Sequence, residues 1–152
     1  MQGLTIRKAR DDEHDEIARI WTESWLSLGL EPRSETVFAN SRARIPREAA
    51  NGWSLFVVDD AGRIAAMLAL HLSDCHLDQL FVAPEYHGRG IGKMLLQFTR
   101  EQLPDEVWLR CASLNEKAWR WYEREGFVFE REGPHPSGWT MRYYRWKKGT
   151  ER

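Results

Sequence analysis

The chain has 152 residues, of which 42% are hydrophobic and 30% are charged, and its 22 basic and 23 acidic side chains give a formal net charge of −1. This length and composition are typical of one folded domain, which we expect to span residues 1–152. Because the charges nearly cancel, we expect neither nucleic acid nor an anionic membrane surface as a partner.

Targeting and redox signals are weak in this sequence. Residues 1–16 lack the apolar stretch of a secretory signal, and the longest apolar run, residues 64–70, is too short to span a bilayer. The two cysteines, Cys75 and Cys111, are too few for a disulfide framework. We therefore expect free thiols and a cytoplasmic location.

The first half of the chain alternates strands with helical segments. A short alternating strand is followed by an acidic cluster and apolar side chains at helical spacing, which predict a helix. Residues 27–52 contain several Gly and Pro residues, and we expect a short helix over about 35–50. A hairpin turn at 59–62 joins the next two strands. The predicted strands are residues 4–7, 53–58, 63–72 and 76–82.

The second half continues the alternation. A loop leads into a helix that begins at residue 91 and ends before Pro104. A strand over 106–111 precedes a helix over 114–125, for which Ser113 and Glu116 fit a capping box. Two closing antiparallel strands are expected over residues 127–132 and 139–146. The order β-α-α-β-β-β-α-β-α-β-β predicts an α/β fold with no repeat and no linker.

The clearest functional signal is a glycine-rich turn between a predicted strand and the helix after it. Glycine lets the backbone approach a ligand closely, and the first N–H groups of the helix point out of its positive end. Together they form an anion cradle suited to a pyrophosphate, flanked by two cations. The glycine spacing fits neither a P-loop nor a dinucleotide fingerprint. The expected binding residues are Gly88, Arg89, Gly90, Ile91, Gly92 and Lys93.

At this turn the sequence resembles the GNAT (GCN5-related) N-acetyltransferases, whose acetyl-CoA signature is Gln/Arg-x-x-Gly-x-Gly/Ala at the start of the central helix. The segment His87-Gly-Arg-Gly-Ile-Gly matches both glycine positions of this signature. At the first position of the signature it has histidine in place of glutamine or arginine. The resemblance implies that this segment binds acetyl-CoA. The preceding Leu80, Phe81 and Val82 resemble the family's bulged strand, whose backbone pairs with the pantetheine arm.

A second motif lies on the next predicted helix. In helical geometry Asn115, Ala118 and Tyr122 share one face, and the small Ala118 leaves space for a slender ligand. This resembles the second signature of the family, in which the asparagine contacts the cofactor and the tyrosine protonates the departing CoA thiolate. A phenol with a pKa of about 10 is a suitable acid for a thiolate.

The two motifs and the element order together imply a single-domain GNAT-like fold with a mixed, largely antiparallel sheet flanked by helices. The resemblance implies direct transfer from acetyl-CoA. A neutral amine attacks the thioester carbonyl, a backbone N–H near Val82 polarises that carbonyl, and Tyr122 protonates the sulfur. This reaction requires no metal and no covalent intermediate.

The amine must first lose a proton, and Asp78 is the candidate base or the first group of a water relay. Strand alternation places Asp78, Leu80 and Val82 on one face, which His76 extends. A solvated charge or a hairpin ion pair is the alternative for Asp78, and Glu85 is an alternative base. We expect no metal site, since neighbouring strand residues point to opposite faces. The metal-ligating residue types considered are His71, Asp74, Cys75, His76 and Asp78.

The sequence indicates less about the amine that accepts the acetyl group than about the cofactor. The branch of the family that acetylates protein N-termini carries a glutamate five residues before the motif asparagine, where this chain has Arg110. If Arg110 faces the cleft, it favours an acceptor with a carboxylate; an ordinary exposed arginine is the alternative. Trp21, Trp25 and Trp139 are candidates for the acceptor wall or for the core.

Three functions are therefore compared. The leading hypothesis is an acetyl-CoA-dependent N-acetyltransferase for a small-molecule amine, which a pocket closed by residues 30–50 would favour. The second is an acetyltransferase for a protein or peptide amine, which a groove open at both ends would favour. The third is a non-catalytic acyl-CoA sensor. The sequence also allows a homodimer, through exposed tryptophans or the C-terminal strands.

Overall fold

The computed structural model describes residues 3–30, 35–136 and 138–149. Within these residues the chain forms seven strands and four α-helices. The strands are β1 (Leu4–Lys8), β2 (Trp53–Asp60), β3 (Arg63–His71), β4 (His76–Val82), β5 (Glu106–Ala112), β6 (Val128–Pro134) and β7 (Thr140–Lys147). The helices are α1 (His14–Leu26), α2 (Glu35–Ala50), α3 (Ile91–Gln102) and α4 (Glu116–Arg124).

The strands form one sheet in the order β1-β2-β3-β4-β5-β7-β6. All neighbouring strands are antiparallel except β4 and β5, which are parallel. The predicted α/β fold with a mixed, largely antiparallel sheet is therefore confirmed. The prediction of one domain over residues 1–152 extends beyond the described residues at both ends and stays a prediction.

Helices cover both faces of the sheet. On β2, Trp53 packs against Trp21 of α1 with ring centroids 5.9 Å apart, and Phe56 packs against Phe98 of α3 at 4.9 Å. Residues at odd and even positions of a strand point to opposite faces, so α1 and α3 lie on opposite sides. Covered on both faces, β3 is almost wholly apolar and buried.

The helix α4 begins differently from the prediction. The N-cap is Asn115, whose side-chain Oδ1 accepts a hydrogen bond from the Ala118 N–H at 3.3 Å. The proposed capping box was wrong, because the Ser113 hydroxyl lies outside the helix and donates to the Glu132 carboxylate at 2.7 Å. A short polar side chain at an N-cap satisfies one of the open helix N–H groups. This role holds Asn115 at the tip of α4.

The centre of the sheet opens between β4 and β5. These strands share a single register position, His76 opposite Trp108, whereas β5 and β7 remain paired from Glu106 to Ala112. Beyond His76 the backbone edges of β4 and β5 therefore face a gap. The topology thus places a cleft at the carboxyl ends of two parallel strands, where α/β proteins commonly bind ligands.

A β-bulge lies just before this gap. Pairing between β3 and β4 is regular from Val82 to Gln79 and then shifts, so that Leu70 faces Leu77 and Asp78 is the extra residue. The bulge expected at residues 80–82 was therefore misplaced, and the uniform alternation expected from His76 to Val82 is interrupted at Asp78. A bulge re-aims the side chains beside it.

His76 holds the last closed position before the gap. Its ring stacks on Trp108 with centroids 3.7 Å apart, its Nδ1 lies 3.2 Å from the Trp108 carbonyl oxygen, and it is buried. Burial lowers the pKa of His76, and the field of Asp78 opposes this only in part. The neutral imidazole is therefore the form that the fold stabilises.

We predict that the protein loses stability as the pH falls below about 6.5, the pKa of an unfolded histidine. The unfolded chain then binds a proton that the folded chain resists until the lower folded pKa is reached. Urea unfolding at several pH values should show a flatter dependence for His76→Gln. His135, whose pKa burial also lowers, is the same in both proteins and cancels in the difference. Equal slopes for the two proteins would contradict this assignment.

Candidate active site

Two cavities meet at the gap between β4 and β5. The tryptophan-side cavity, of about 450 Å³, is lined by Trp21, Trp25 and Trp139 among others. The glycine-side cavity, of about 930 Å³, is lined by the glycine turn and parts of α3 and α4. The residues that line both are Leu80, Phe81, Asn115, Ala118 and Tyr122. All five come from the two predicted motifs, so the structure brings those motifs together.

The glycine turn leaves the start of α3 open. Gly88 and Gly90 have φ values of +79° and +78°, and a Cβ added to either would meet no atom within 4 Å. Gly90 is the N-cap of α3, and no side chain caps the helix. The first N–H groups of α3 are therefore free of side-chain partners, as an anion cradle requires.

The third glycine of the turn has a different role. A Cβ on Gly92 would lie 3.2 Å from two ring carbons of Trp121. This is a tight approach between α3 and α4, and Trp121 also lines the glycine-side cavity. Gly92 thus allows close packing of two helices, and the sequence motif alone did not indicate this.

The three polar residues of the turn, His87, Arg89 and Lys93, have different positions relative to the glycine-side cavity. The His87 Nε2 lies 2.9 Å from the Val82 carbonyl oxygen, and His87 lines the glycine-side cavity. Lys93 also lines it, with its Nζ 3.5 Å from the Glu125 carboxylate. The guanidinium of Arg89 instead lies over the Tyr86 ring at 4.9 Å and does not line either cavity.

The end of β4 presents backbone groups to the gap. The Ala83 N–H donates to the Ala65 carbonyl of β3 at 2.8 Å. Because backbone groups alternate in direction along a strand, the N–H of Val82 points away from β3. The Val82 carbonyl follows the same direction and accepts from the Ser24 hydroxyl at 3.1 Å. This direction is compatible with the prediction that a backbone N–H near Val82 polarises the thioester carbonyl.

Tyr122 forms the wall between the two cavities. It is buried, with 8% of its surface exposed, and its ring packs against Trp121 and Phe127 at 4.9 and 5.6 Å. Burial raises the pKa of Tyr122 well above 10, and the neighbouring Cys111 adds to this. Within the described residues its hydroxyl has no hydrogen-bond partner. Tyr122 therefore carries a proton at neutral pH with a free hydroxyl at the junction.

Asp78 lies on the tryptophan side of the junction. Its carboxylate accepts hydrogen bonds from the Trp53 indole N–H at 2.8 Å and from the Gln79 amide at 3.1 Å. It also lies 3.6 Å from His71 Nε2 and 4.0 Å from His76 Nε2. Only 14% of its side chain is exposed. Asp78 is therefore held in a cluster of polar rings rather than in open solvent.

Glu85 and Cys111, which were considered from the sequence as a base and as a nucleophile, are not placed to react in the site. Glu85 is exposed and does not line either cavity. Cys111 lines the tryptophan-side cavity, but burial raises its pKa to about 12, so it remains a thiol at neutral pH. In the part of the chain that the structure describes, no group of three or more His, Cys, Asp or Glu side chains could hold a metal ion.

The tryptophan-side cavity is lined by helices, strands and a loop. Trp25 of α1 contacts Trp139 of the β6–β7 loop edge to face, with centroids 5.8 Å apart. Trp21 stacks on Phe81 at 6.5 Å. One side of α2 covers the cavity with Val37, Asn40, Ser41 and Arg44. All three candidate tryptophans therefore line the cavity, and Trp21 is in addition a core residue.

Several residues of the site were not found from sequence. Arg44 and the rest of the α2 surface lie in a segment without clear periodicity, and Trp53 and His71 contact Asp78 without lining either cavity. Ser24 could have been found, because it lies one helical turn after Trp21. The other residues would have required knowledge of the tertiary fold.

An opened parallel pair, an uncapped glycine-rich helix start and a buried phenol between two cavities define an acyl-CoA-dependent N-acyltransferase. The chain matches the acetyltransferase (GNAT) family model over residues 14–127 of its 152 and belongs to this family. It is therefore an N-acetyltransferase whose acetyl donor is acetyl-CoA. The resemblance of the two motifs to this family is confirmed.

Known proteins of this family are similar along most of the chain. Peptidyl-lysine N-acetyltransferase YjaB of Escherichia coli (strain K12) is 27% identical over 130 residues, which cover 82% of each protein. The solution structure of apo-form YjaB has a TM-score of 0.74 at 20% identity and covers 96% of this chain and 99% of that one. Spermidine N-acetyltransferase from Vibrio cholerae, in complex with CoA and spermine, has a TM-score of 0.70 at 19% identity, covering 99% and 98%.

Proposed function

We propose that this enzyme acetylates a primary amine of a small molecule by direct transfer, with the thioester at the junction of the two cavities. The observation that carries the proposal is Tyr122, a buried phenol that lines both cavities and has an unengaged hydroxyl. A thioester placed there has an acid beside its sulfur and one cavity for each substrate.

The glycine-side cavity suits the CoA part of the donor. Gly88 and Gly90 leave space at the positive end of α3 for the diphosphate, with Lys93 at the rim. The gap beside Leu80 and Val82 offers strand-edge backbone groups for the pantetheine arm. The residues that we assign to acetyl-CoA are Leu80, Phe81, Val82, His87, Gly88, Gly90, Ile91, Gly92, Lys93, Asn115 and Tyr122.

Two residues of the glycine turn, His87 and Arg89, are given roles other than direct contact with the diphosphate. His87 holds the Val82 carbonyl from the side that the glutamine or arginine of the family signature would occupy, so we assign it to shaping the end of β4. Arg89, predicted to bind phosphate, stacks on Tyr86 outside the cavity. Its contribution is then a long-range positive field, which is weakened by salt.

Asp78 is our candidate for accepting the proton of the amine, directly or through water. It lines the tryptophan-side cavity next to Tyr122, and its contact with the partly exposed His71 offers a route for the proton toward the surface. The N–H of Val82 faces the same gap and would polarise the thioester carbonyl. Tyr122 then protonates the sulfur as the C–S bond breaks.

The size and walls of the tryptophan-side cavity support a small molecule over a protein. YjaB acts on peptidyl-lysine, which keeps a protein or peptide amine as the alternative acceptor. In this chain, α2 and the contact between Trp25 and Trp139 form walls around a cavity of about 450 Å³, a volume that suits a small acceptor. A non-catalytic sensor is disfavoured, because the enzyme class follows from the family.

Location and assembly remain predictions. None of the helices among the described residues is long and apolar enough to cross a membrane. The cytoplasmic location expected from the free thiols and the homodimer expected from the exposed C-terminal strands are not tested by the fold. β6 is an edge strand with exposed Val128 and Phe129.

The proposed diphosphate site predicts that Gly90→Glu loses acetyl-CoA. The new carboxylate would enter the open space at the helix start and oppose the diphosphate by overlap and like charge, weakening binding at least about 100-fold. Gly62→Glu is the matched control, since Gly62 also has a positive φ, +94°, and open space around it. Titration calorimetry with acetyl-CoA should show loss in the first variant alone. Unchanged affinity of Gly90→Glu would refute this site.

The proposed acid predicts a selective effect of Tyr122→Phe. The ring packing is retained and the hydroxyl is lost, so kcat should fall about 10²- to 10⁴-fold, while the dissociation constant of acetyl-CoA should change little. Thiol release from acetyl-CoA with a panel of amines measures kcat, and calorimetry measures binding. A variant as active as the parent would remove Tyr122 from the reaction.

The proposed base predicts that Asp78→Asn lowers kcat about 100-fold at pH 7. The deficit should shrink as the pH rises, because the free amine then deprotonates in solution without help. Asp74→Asn, an exposed neighbour outside both cavities, is the control. A deficit that stays constant with pH would indicate a structural role for Asp78 instead.

A further inference from the structure

Among the described residues that line the tryptophan-side cavity, positively charged side chains outnumber negatively charged ones. In the described part of the chain, its lining contains the guanidiniums of Arg44 and Arg110 and one carboxylate, that of Asp78. Counted over these lining residues, two positive charges and one negative charge leave a surplus of one positive charge before any histidine is protonated; the Glu48 carboxylate that pairs with Arg44 is not part of the lining. The whole chain has a net charge of −1, so this surplus is local to the cavity.

Arg44 is held at the cavity by aromatic rings. Its guanidinium lies 5.1 Å from the centroid of Trp21 and 5.9 Å from that of Trp53. It also contacts the Glu48 carboxylate on the same helix at 3.3 Å, an i,i+4 pair that leaves about a third of the arginine side chain exposed. A partly exposed pair between residues one helical turn apart contributes little, so the Arg44 guanidinium can also donate to a ligand.

Arg110 approaches the same cavity from β5. Its guanidinium donates to the Tyr143 hydroxyl at 3.4 Å, and it forms no ion pair with any of the described residues. Burial, Arg110 and Arg44 together lower the pKa of His135, another lining residue. The fields of both guanidiniums therefore reach the same part of the wall, although Arg44 lies on α2 and Arg110 on β5.

Asp78 does not neutralise these arginines. Its oxygens are occupied by Trp53, Gln79 and the two neighbouring imidazoles. A polyamine or a lysine side chain would bring further positive charge to this cavity and find one engaged carboxylate. An anionic group would find two guanidiniums able to donate. The rest of the wall is largely apolar, with several aromatic rings, and suits an apolar body.

We propose that the acceptor is an amine that carries a carboxylate, of the class of apolar α-amino acids. The carboxylate binds Arg44 and Arg110, the apolar side chain lies against Trp25 and Trp139, and the amine faces the junction at Tyr122. This assignment rests on the proposed function and names its substrate class.

The first experiment compares acceptors that differ only in the carboxylate. Thiol release from acetyl-CoA is measured with phenylalanine and leucine, with their amides, and with spermidine and Nα-acetyl-lysine amide. We expect kcat/KM for the free acids to exceed that for the amides by about 10- to 100-fold. The amine of an amide loses its proton more easily, so intrinsic reactivity cannot produce this preference. Amides equal to the acids, or spermidine as the best acceptor, would overturn the inference.

The second experiment assigns the preference to residues. Arg110→Gln and Arg44→Gln should each reduce kcat/KM for the free acids about tenfold or more beyond any reduction for the amides, so that the preference for acids shrinks. Arg42→Gln is the control, because Arg42 lies on α2 outside the cavity and pairs with Asp15 at 2.6 Å. A preference for acids that survives in both cavity variants would overturn the role of the arginines.

A third measurement separates this inference from the proposed function. Binding of N-acetylphenylalanine and of its amide to the CoA-loaded protein is followed by the shift in unfolding temperature. If no amine is acetylated but the acid binds, is lost in Arg110→Gln and is retained in Arg42→Gln, the catalytic proposal fails and the carboxylate site stands. If neither compound binds and the amides or cationic amines are acetylated, the carboxylate site fails and the transferase stands.

Discussion

The site depends on the incomplete pairing of two parallel strands. β4 and β5 are held together at one position, where buried His76 stacks on Trp108, and they separate beyond it. Had the pairing continued, the backbone edges would be satisfied by each other and the sheet would be closed. The gap instead connects two cavities and exposes strand-edge groups to a substrate.

Local backbone features position the side chains around this gap. The bulge at Asp78 places its carboxylate at the wall of the tryptophan-side cavity, and left-handed Gly90 leaves the start of α3 uncovered. Gly92 lets α4 approach α3, which brings Tyr122 to the wall between the cavities. Each feature would be costly in an ordinary element, and each occurs beside the junction.

The two cavities differ in chemistry as well as in position. One contains the open start of α3, glycines and a lysine, and the other contains aromatic rings, two arginines and a partly buried carboxylate. The family specifies the acetyl-CoA half of the reaction. It does not specify the acceptor, because YjaB and spermidine N-acetyltransferase are named for different amines.

Local patterns in the sequence determined the elements, the mixed sheet, the glycine turn and the motif around Tyr122. These features depend on residue spacing and glycine content within short segments, which are visible in the sequence without knowledge of the fold. Only the tertiary structure decided that the bulge lies at Asp78, that Arg89 lies outside the cavities and that Arg44 and Arg110 line the same cavity. Those outcomes depend on strand register and on packing between segments distant in sequence, which periodicity cannot report.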